Sequence, residues 1–154
     1  MTVRRRFTLS ILLAALTWPG AMLLAQSPSN VPTLAALSQL RWEYRVLLVF
    51  DEAPARDDTA LLREQATAFR ERDTLWFVVR DGEVQSNYPG PLAEGFGERG
   101  LRGLARGERV VLIGKDGGVK LRTSSLDIAG VFALIDGMPM RRREMRERGS
   151  EGKR

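Results

Sequence analysis

The chain has 154 residues and contains no cysteine and no histidine. These absences exclude disulfides, thiol nucleophiles, iron–sulfur clusters and thiolate zinc sites, together with the usual general base of enzymes. The formal net charge is +5, but the positive charge is concentrated at the two ends, in residues 4–6 and 141–154. The remainder is close to neutral, so the sequence does not support a basic nucleic-acid-binding face.

Residues 1–25 have the pattern of a secretion signal. Three arginines at residues 4–6 precede an apolar core at residues 7–16 (FTLSILLAAL), and Pro19, Gly20 and Ala25 follow. The alternative is an uncleaved anchor, since residues 7–25 are barely long enough to span a bilayer. Either interpretation places the rest of the chain outside the cytoplasm. We therefore expect a periplasmic or secreted protein that contacts a membrane only through an uncleaved signal or by weak electrostatic attraction.

The sequence pattern of residues 26–80 predicts a helix–strand–helix–strand order. Residues 26–33 are a turn-rich linker, and leucines at helical spacing over residues 34–40 predict a short helix. Arg45–Phe50 (RVLLVF) predicts a buried strand. Two aspartates at residues 57 and 58 predict the start of a helix that ends near Arg72, and residues 75–80 (LWFVVR) predict a second buried strand.

The second half predicts a hairpin and a helix after a glycine-rich stretch. Residues 81–107 predict turns, a loop and an irregular helix over residues 92–105. Residues 109–114 (RVVLIG) predict a third strand, and the turn KDGG joins it to a fourth at residues 119–122. Asp127 predicts the cap of a helix that is ended by Gly137 and Pro139.

This order of elements predicts an α/β fold. A strand–helix–strand unit implies a parallel pair of strands, and the hairpin adds antiparallel partners. We expect a mixed sheet of about four strands with helices on both faces, which is the thioredoxin-like plan. The predicted domain covers residues 34–140, and residues 141–154 form a basic, solvated and partly helical C-terminal tail.

Four phrases of the sequence carry a family resemblance. They are residues 42–50 (WEYRVLLVF), 71–73 (ERD), 112–122 (LIGKDGGVKLR) and 135–145 (IDGMPMRRREM). Over residues 34–147 the chain resembles the domain-of-unknown-function 4174 family. The resemblance implies a thioredoxin- or peroxiredoxin-like fold. It also implies a relationship to domains of sushi-repeat and coiled-coil-domain-containing extracellular proteins, which are associated with matrix and adhesion. No catalytic residue is established for the family, so the resemblance assigns none.

The chain departs from the redox members of the thioredoxin superfamily. Their working cysteine follows the first core strand, where this chain reads DEAPARDD at residues 51–58. Thioredoxins also place a cis-proline before the strand that corresponds to residues 109–114, and no proline precedes it here. We expect no peroxidase or disulfide-exchange activity, because no residue can form a sulfenate or a mixed disulfide.

The first candidate ligand-binding group follows the first predicted strand. It consists of four carboxylates, Asp51, Glu52, Asp57 and Asp58. Oxygen ligands of this kind suit a hard cation such as Ca²⁺, but the spacing is not that of a calcium loop. The favoured alternative is that the two later residues cap a helix and the two earlier ones are solvated. We therefore predict no metal site.

The second candidate group lies in the predicted hairpin. It consists of Lys115, Asp116, Lys120 and Arg122. These residues are candidates to bind an anion, with the backbone N–H groups of Gly117 and Gly118 as additional donors. The favoured alternative is an exposed edge strand that is protected from aggregation by its charges.

The basic tail is a candidate docking surface. Its relevant residues are Arg141, Arg142, Arg143 and Arg146. Pairs between residues 143 and 147 and between 144 and 148 favour a solvated helix. The alternative is docking on a protein or on an anionic envelope partner, such as a phospholipid headgroup or a glycan. Asp73 and Asp136 lie near element ends, and structural arginine–aspartate pairs are the favoured interpretation of both.

Together these patterns predict an exported, non-catalytic, thioredoxin-like binding module without a cofactor, whose ligand the sequence does not name. Two alternatives stay open. One is an enzyme that uses Asp, Glu or Lys, with or without a metal ion. The other is a structural envelope protein that docks through its arginine-rich tail. Serine hydrolysis has no support, because the chain has neither histidine nor a G-x-S-x-G motif.

Overall fold

The structure, a computed structural model, describes residues 31–50, 58–97 and 100–151. The predicted signal and most of the predicted linker lie outside these ranges. Within them the fold is α/β, with a mixed sheet of five strands in the order β3-β2-β1-β4-β5. The strands are β1 (Arg45–Phe50), β2 (Thr74–Arg80), β3 (Glu83–Ser86), β4 (Val110–Ile113) and β5 (Val119–Thr123).

The helices fall before, between and after these strands. They are a 3₁₀ helix (Leu37–Leu40), α1 (Asp58–Glu64), α2 (Ala66–Glu71), α3 (Leu101–Ala105), α4 (Ile128–Gly137) and α5 (Pro139–Glu151). Asp127 caps α4 as its sequence predicts, since its Oδ1 accepts a hydrogen bond of 3.0 Å from the N–H of Gly130. In the described part of the chain, every helix is too short or too polar to cross a membrane.

Strand β1 lies at the centre of the sheet. It runs parallel to β2, with Arg45 opposite Thr74, and antiparallel to β4, with Val46 opposite Ile113. All six of its residues are buried, which explains why its sequence is an almost continuous apolar run rather than an alternating one. Strands β2–β3 and β4–β5 are antiparallel pairs that extend the sheet on either side.

Helices cover both faces of the sheet because strand side chains alternate between the two faces. On one face Leu47 and Trp76 belong to a core with α1, α2 and α4, to which these helices contribute Leu62, Phe69, Val131 and Ile135. On the other face Leu48 and Phe77 belong to a core with the 3₁₀ helix and α3, which contribute Leu40, Leu101 and Ala105.

The expected number of about four strands was too low, because β3 falls in the stretch predicted to be irregular. Asp81 and Gly82 have φ values of 49° and 83°. Positive φ at both central residues is typical of the tight turns that join hairpin strands. The sequence pattern predicts the Asp-Gly turn, but it predicts no strand for the four residues that follow it.

Two predicted helices are shorter than expected. The helix expected to run to Arg72 is divided into α1 and α2 at Gln65, whose ψ of 18° departs from helical geometry. The irregular helix expected over residues 92–105 is reduced to α3. Gly95 and Gly100 have φ values of 68° and 73°, and residues in this left-handed conformation end a right-handed helix.

The predicted basic tail forms α5, and its first half packs against the domain. Arg141 is buried and donates a 2.8 Å hydrogen bond to the carbonyl oxygen of Glu71. Glu144 forms an ion pair with Arg45 at the start of β1. The contacts of the domain therefore continue past the boundary predicted at residue 140, and Arg141 belongs to the folded body rather than to a free tail.

Two glycines provide a matched test of the turn that joins β4 to β5. Gly117 has φ +80°, and a Cβ atom there would lie 3.2 Å from Arg41 Nε. We expect Gly117→Ala to lower the free energy of unfolding by about 1–2 kcal/mol, because the left-handed conformation disfavours a side chain. Gly103 lies inside α3 with open space around it. Gly103→Ala should raise the stability by up to about 1 kcal/mol. Urea titrations of both variants measure the difference, and equal effects would contradict the turn geometry.

Candidate functional site

The carboxyl end of β1 holds an ion pair whose carboxylate is buried. Asp58, the first residue of α1, is 1% exposed, and its Oδ2 accepts a hydrogen bond from Nη2 of Arg109. The carbonyl oxygen of Arg109 in turn accepts a 2.8 Å hydrogen bond from the N–H of Phe50, at the end of β1. Asp58 is therefore fixed against the strand that precedes its helix.

The rest of the predicted acidic group is not part of this geometry. Asp51, Glu52 and Asp57 lie outside the described residues. Within residues 31–50, 58–97 and 100–151, no three carboxylates are arranged so that they could hold a metal ion. Asp58 is the one member of the group whose surroundings are known, and it contacts an arginine.

The hairpin turn between β4 and β5 is closed by its own side chains. Asp116 accepts hydrogen bonds from the N–H of Gly118 at 3.0 Å and from Lys120 Nζ at 2.6 Å. The hydrogen bond from Lys120, followed by that from Gly118, lowers the pKa of Asp116. The N–H of Gly117 donates to the carbonyl oxygen of Gly114 at 2.9 Å. The two glycine N–H groups that the sequence suggested for an anion are therefore already bonded within the turn.

The four predicted hairpin residues make three separate sets of contacts. Asp116 and Lys120 pair with each other in the turn. Arg122 donates from Nε to the carbonyl oxygen of Leu104, in α3, at 2.7 Å. Lys115 is buried and contacts α5 and the residue before β2. The structure therefore does not bring Lys115, Lys120 and Arg122 together as one anion site.

Lys115 belongs to a charge network where β1 and β2 begin and β4 ends. We define the charge network by its eight residues, Arg45, Arg72, Asp73, Lys115, Asp136, Arg141, Glu144 and Arg148. Glu144 accepts two hydrogen bonds from Arg45, at 3.1 and 3.2 Å, and its Oε1 lies 2.9 Å from Lys115 Nζ. This two-pronged pairing of a carboxylate with an arginine is strong and directional.

The other two carboxylates of the charge network are also shared between cations. Asp73 accepts hydrogen bonds from Lys115 at 2.9 Å and from Arg148 at 3.1 Å. Asp136 accepts from Arg72 at 2.6 Å and from Arg141 at 3.3 Å. The structure thus contains the arginine–aspartate pairs that the sequence favoured for Asp73 and Asp136. The predicted pair of residues 144 and 148 is replaced by these contacts.

The arginines of the charge network also bind the carbonyl end of α2. The carbonyl oxygen of Glu71 accepts hydrogen bonds from Arg141 at 2.8 Å and from Arg148 at 2.6 Å, and that of Arg72 accepts one of 2.8 Å from Arg45. The last carbonyl groups of a helix have no partner within it and carry partial negative charge. Cationic side chains from β1 and α5 therefore hold this short helix in place.

The three carboxylates of the charge network share one electrostatic pattern. Partial burial alone would raise the pKa of each group. Hydrogen bonds and nearby positive charges outweigh that effect. They come from Lys115 and Arg148 at Asp73, from Arg72 and Arg141 at Asp136, and from Arg45 and Lys115 at Glu144. Each pKa is therefore lowered from its ordinary value. Groups that stay ionised in this way hold structure together and are poorly suited to exchange protons near neutral pH.

Sequence reasoning missed Arg45 and Glu144 as members of a site. An arginine at the start of an otherwise apolar strand was the available signal, because a buried guanidinium requires a partner. Nothing local to that strand identifies Glu144, which is 99 residues away. Of the predicted docking residues, Arg141 is buried, whereas Arg142, Arg143 and Arg146 are exposed on α5. Docking through those three arginines stays a prediction.

The four family phrases meet in the charge network, to which each contributes at least one residue. Residues 36–144 match the profile of a domain of unknown function, DUF4174. The chain belongs to the DUF4174 family. The match includes every residue of the charge network except Arg148, so this DUF4174 chain carries the network inside its family domain. No curated protein and no solved structure matches the chain.

The charge network should make the stability of this DUF4174 chain depend on acid pH. The folded-state pKa values of Asp73, Asp136 and Glu144 lie below those of the unfolded chain, so the unfolded chain gains protons first as the pH falls. We expect the free energy of unfolding to be highest above about pH 5 and to fall steadily towards pH 3. Urea titrations across this range measure the slope.

A matched pair of variants assigns that slope to the charge network. Asp136→Asn removes one carboxylate whose side chain is 33% exposed, and it should make the dependence on pH shallower. Glu147→Gln changes an exposed residue of α5 that is not part of the charge network, and it should leave the slope unchanged. A steeper or unaltered slope in Asp136→Asn would contradict the role of these pairs.

Proposed function

We propose that this chain is an exported, non-catalytic binding module with a thioredoxin-like fold. The observation that carries the proposal is the pairing of the buried Asp58 with Arg109 at the carboxyl end of β1. A general acid or base must reach its substrate, whereas Asp58 is buried and held by a guanidinium. Lys115, Asp116 and Arg122 are likewise engaged in contacts within the domain. With no thiol or imidazole in the chain, these contacts favour binding over catalysis.

The strand order supports the thioredoxin-like part of the proposal. Strands β2-β1-β4-β5 contain one parallel pair, followed by an antiparallel hairpin that leads into α4. This is the plan that the sequence resemblance implies, with β3 added at one edge. The end of β1, where redox members of the superfamily carry a cysteine, is occupied here by the Asp58–Arg109 pair. The proposal is therefore a thioredoxin-like scaffold without redox chemistry.

Binding and turnover are distinguished by what happens to a ligand. We expect small molecules from a cell-envelope extract, dialysed against residues 26–154, to be retained in amounts that do not exceed the protein. Mass spectrometry should recover them unchanged, and longer incubation should not increase the amount altered. Accumulation of a product over many turnovers would contradict the proposal.

Two variants identify the groups responsible if turnover does occur. Asp58→Asn should lower the free energy of unfolding by about 3 kcal/mol, because it leaves Arg109 without its carboxylate, and should not change what is bound. Asp81→Asn makes the same substitution at an exposed turn residue and should be neutral. Turnover that disappears in Asp58→Asn but persists in Asp81→Asn would establish the enzyme alternative instead.

Export is tested separately, with the full chain in a Gram-negative host. We expect the protein outside the cytoplasm. A cleaved chain would be in the periplasmic fraction, shortened by about 25 residues, and an uncleaved anchor would be in the membrane fraction at full mass. Leu12→Arg with Leu13→Arg interrupts the apolar core and should retain the chain in the cytoplasm. Leu12→Ile with Leu13→Ile changes the same two residues while keeping the core apolar and should not. Cytoplasmic retention of the unaltered chain would refute export.

A further inference from the structure

A small cavity separates the hairpin turn from the start of α5. Its volume is about 290 Å³, at the lower limit of the range for ligand-binding pockets. It is lined by three cationic residues and one carboxylate, Arg45, Lys115, Lys120 and Asp116, together with the apolar segment Met138, Pro139 and Met140. A cavity lined by both types of side chain matches a ligand that has an anionic end and an apolar end.

The cations that line the cavity have donors to spare. Arg45 is 1% exposed, and among the described residues its Nε–H has no acceptor. Arg72 Nε and Trp76 Nε1 also lack an acceptor, but only Arg45 of these three residues lines the cavity, where a bound water or anion would satisfy its N–H. Lys115 Nζ contacts two carboxylates and Lys120 Nζ one, although an ammonium group has three N–H donors.

The charge balance around the cavity also favours an anion. The charge network and the Asp116–Lys120 pair contain six cations and four carboxylates. The carbonyl groups of α2 accept hydrogen bonds from this surplus but carry no net charge. When the exposed Glu71, 4.0 Å from Arg72, is included, one positive charge still remains. A monoanion therefore matches the surplus better than a dianion such as phosphate does.

We infer that this cavity binds a small aliphatic monocarboxylate. Its carboxylate would accept hydrogen bonds from Arg45, Lys115 and Lys120, and its chain would lie against Met138 and Met140, whose flexible side chains adapt to apolar ligands. The inference rests on the proposed binding function and gives it a ligand class. It also changes the anion site suggested by the sequence, because the donors are side chains of β1 and of the hairpin rather than the glycine N–H groups.

Hexanoate and its neutral analogue hexanamide test the inference by calorimetry on residues 26–154 at low salt. We expect one hexanoate per chain and binding of hexanamide that is weaker by about tenfold or more, the loss expected when a charge-assisted hydrogen bond is removed. Equal affinity for the two compounds would overturn the inference. So would the absence of binding by hexanoate and by its shorter and longer homologues.

Variants locate the binding in the cavity. Lys120→Met should weaken hexanoate binding by about tenfold, whereas Arg142→Met removes the same charge from an exposed position on α5 and should have no effect. Met140→Glu places a repelling carboxylate in the lining and should abolish binding, which provides a second test if Lys120→Met does not fold. Unchanged binding in a folded Lys120→Met or Met140→Glu variant would overturn the inference.

The outcomes separate this inference from the function on which it rests. A chain that binds no carboxylate, but retains other compounds unchanged, loses the monocarboxylate site and remains a binding module. A chain that converts hexanoate into a product retains the site and loses the non-catalytic assignment. Analysis of the calorimetry solution by mass spectrometry distinguishes these results in the same sample.

Discussion

The packing of α5 against the start of β1 depends on the ion pairs of the Glu144 carboxylate. It binds Arg45 through two hydrogen bonds and also contacts Lys115, so one side chain of α5 joins the central strand to the hairpin. Arg45 is buried beneath it, and a guanidinium removed from water without a partner is strongly destabilising. The pair of Arg45 and Glu144 therefore both positions α5 and allows the first residue of β1 to be buried.

The two ends of β1 carry different kinds of charged structure. The carboxyl end has the ion pair of Asp58 with Arg109, in which the aspartate is buried and the arginine is partly exposed. The opposite end has the charge network, which holds α2 and α5 against the sheet and leaves a cavity beside Met138 and Met140. Asp58 and Lys115, members of two separate candidate groups, thus lie at opposite ends of β1.

The sequence allowed only local features of the structure to be predicted. The buried strands β1, β2 and β4 follow from short apolar runs, and the turn at Asp116 and the cap at Asp127 follow from side chains that bond their own backbone. The short strand β3 was missed, because four polar-rich residues after a turn have a weak periodic signal. The charge network could not be derived, since pairs between distant charges obey no sequence period. Seven of its eight members lie in the four separate family phrases, and Arg148 lies outside them.

The separation between Arg45 and Glu144 has a consequence for how the chain folds. Their contact closes a loop of 99 residues, and contacts so distant in sequence lose much chain entropy before they contribute any stability. A fragment that contains β1, β2 and β3 but ends before Glu144 would have to bury an arginine whose carboxylate is missing. We therefore expect β1 and α5 to dock in one cooperative step, so that partly folded intermediates are sparsely populated.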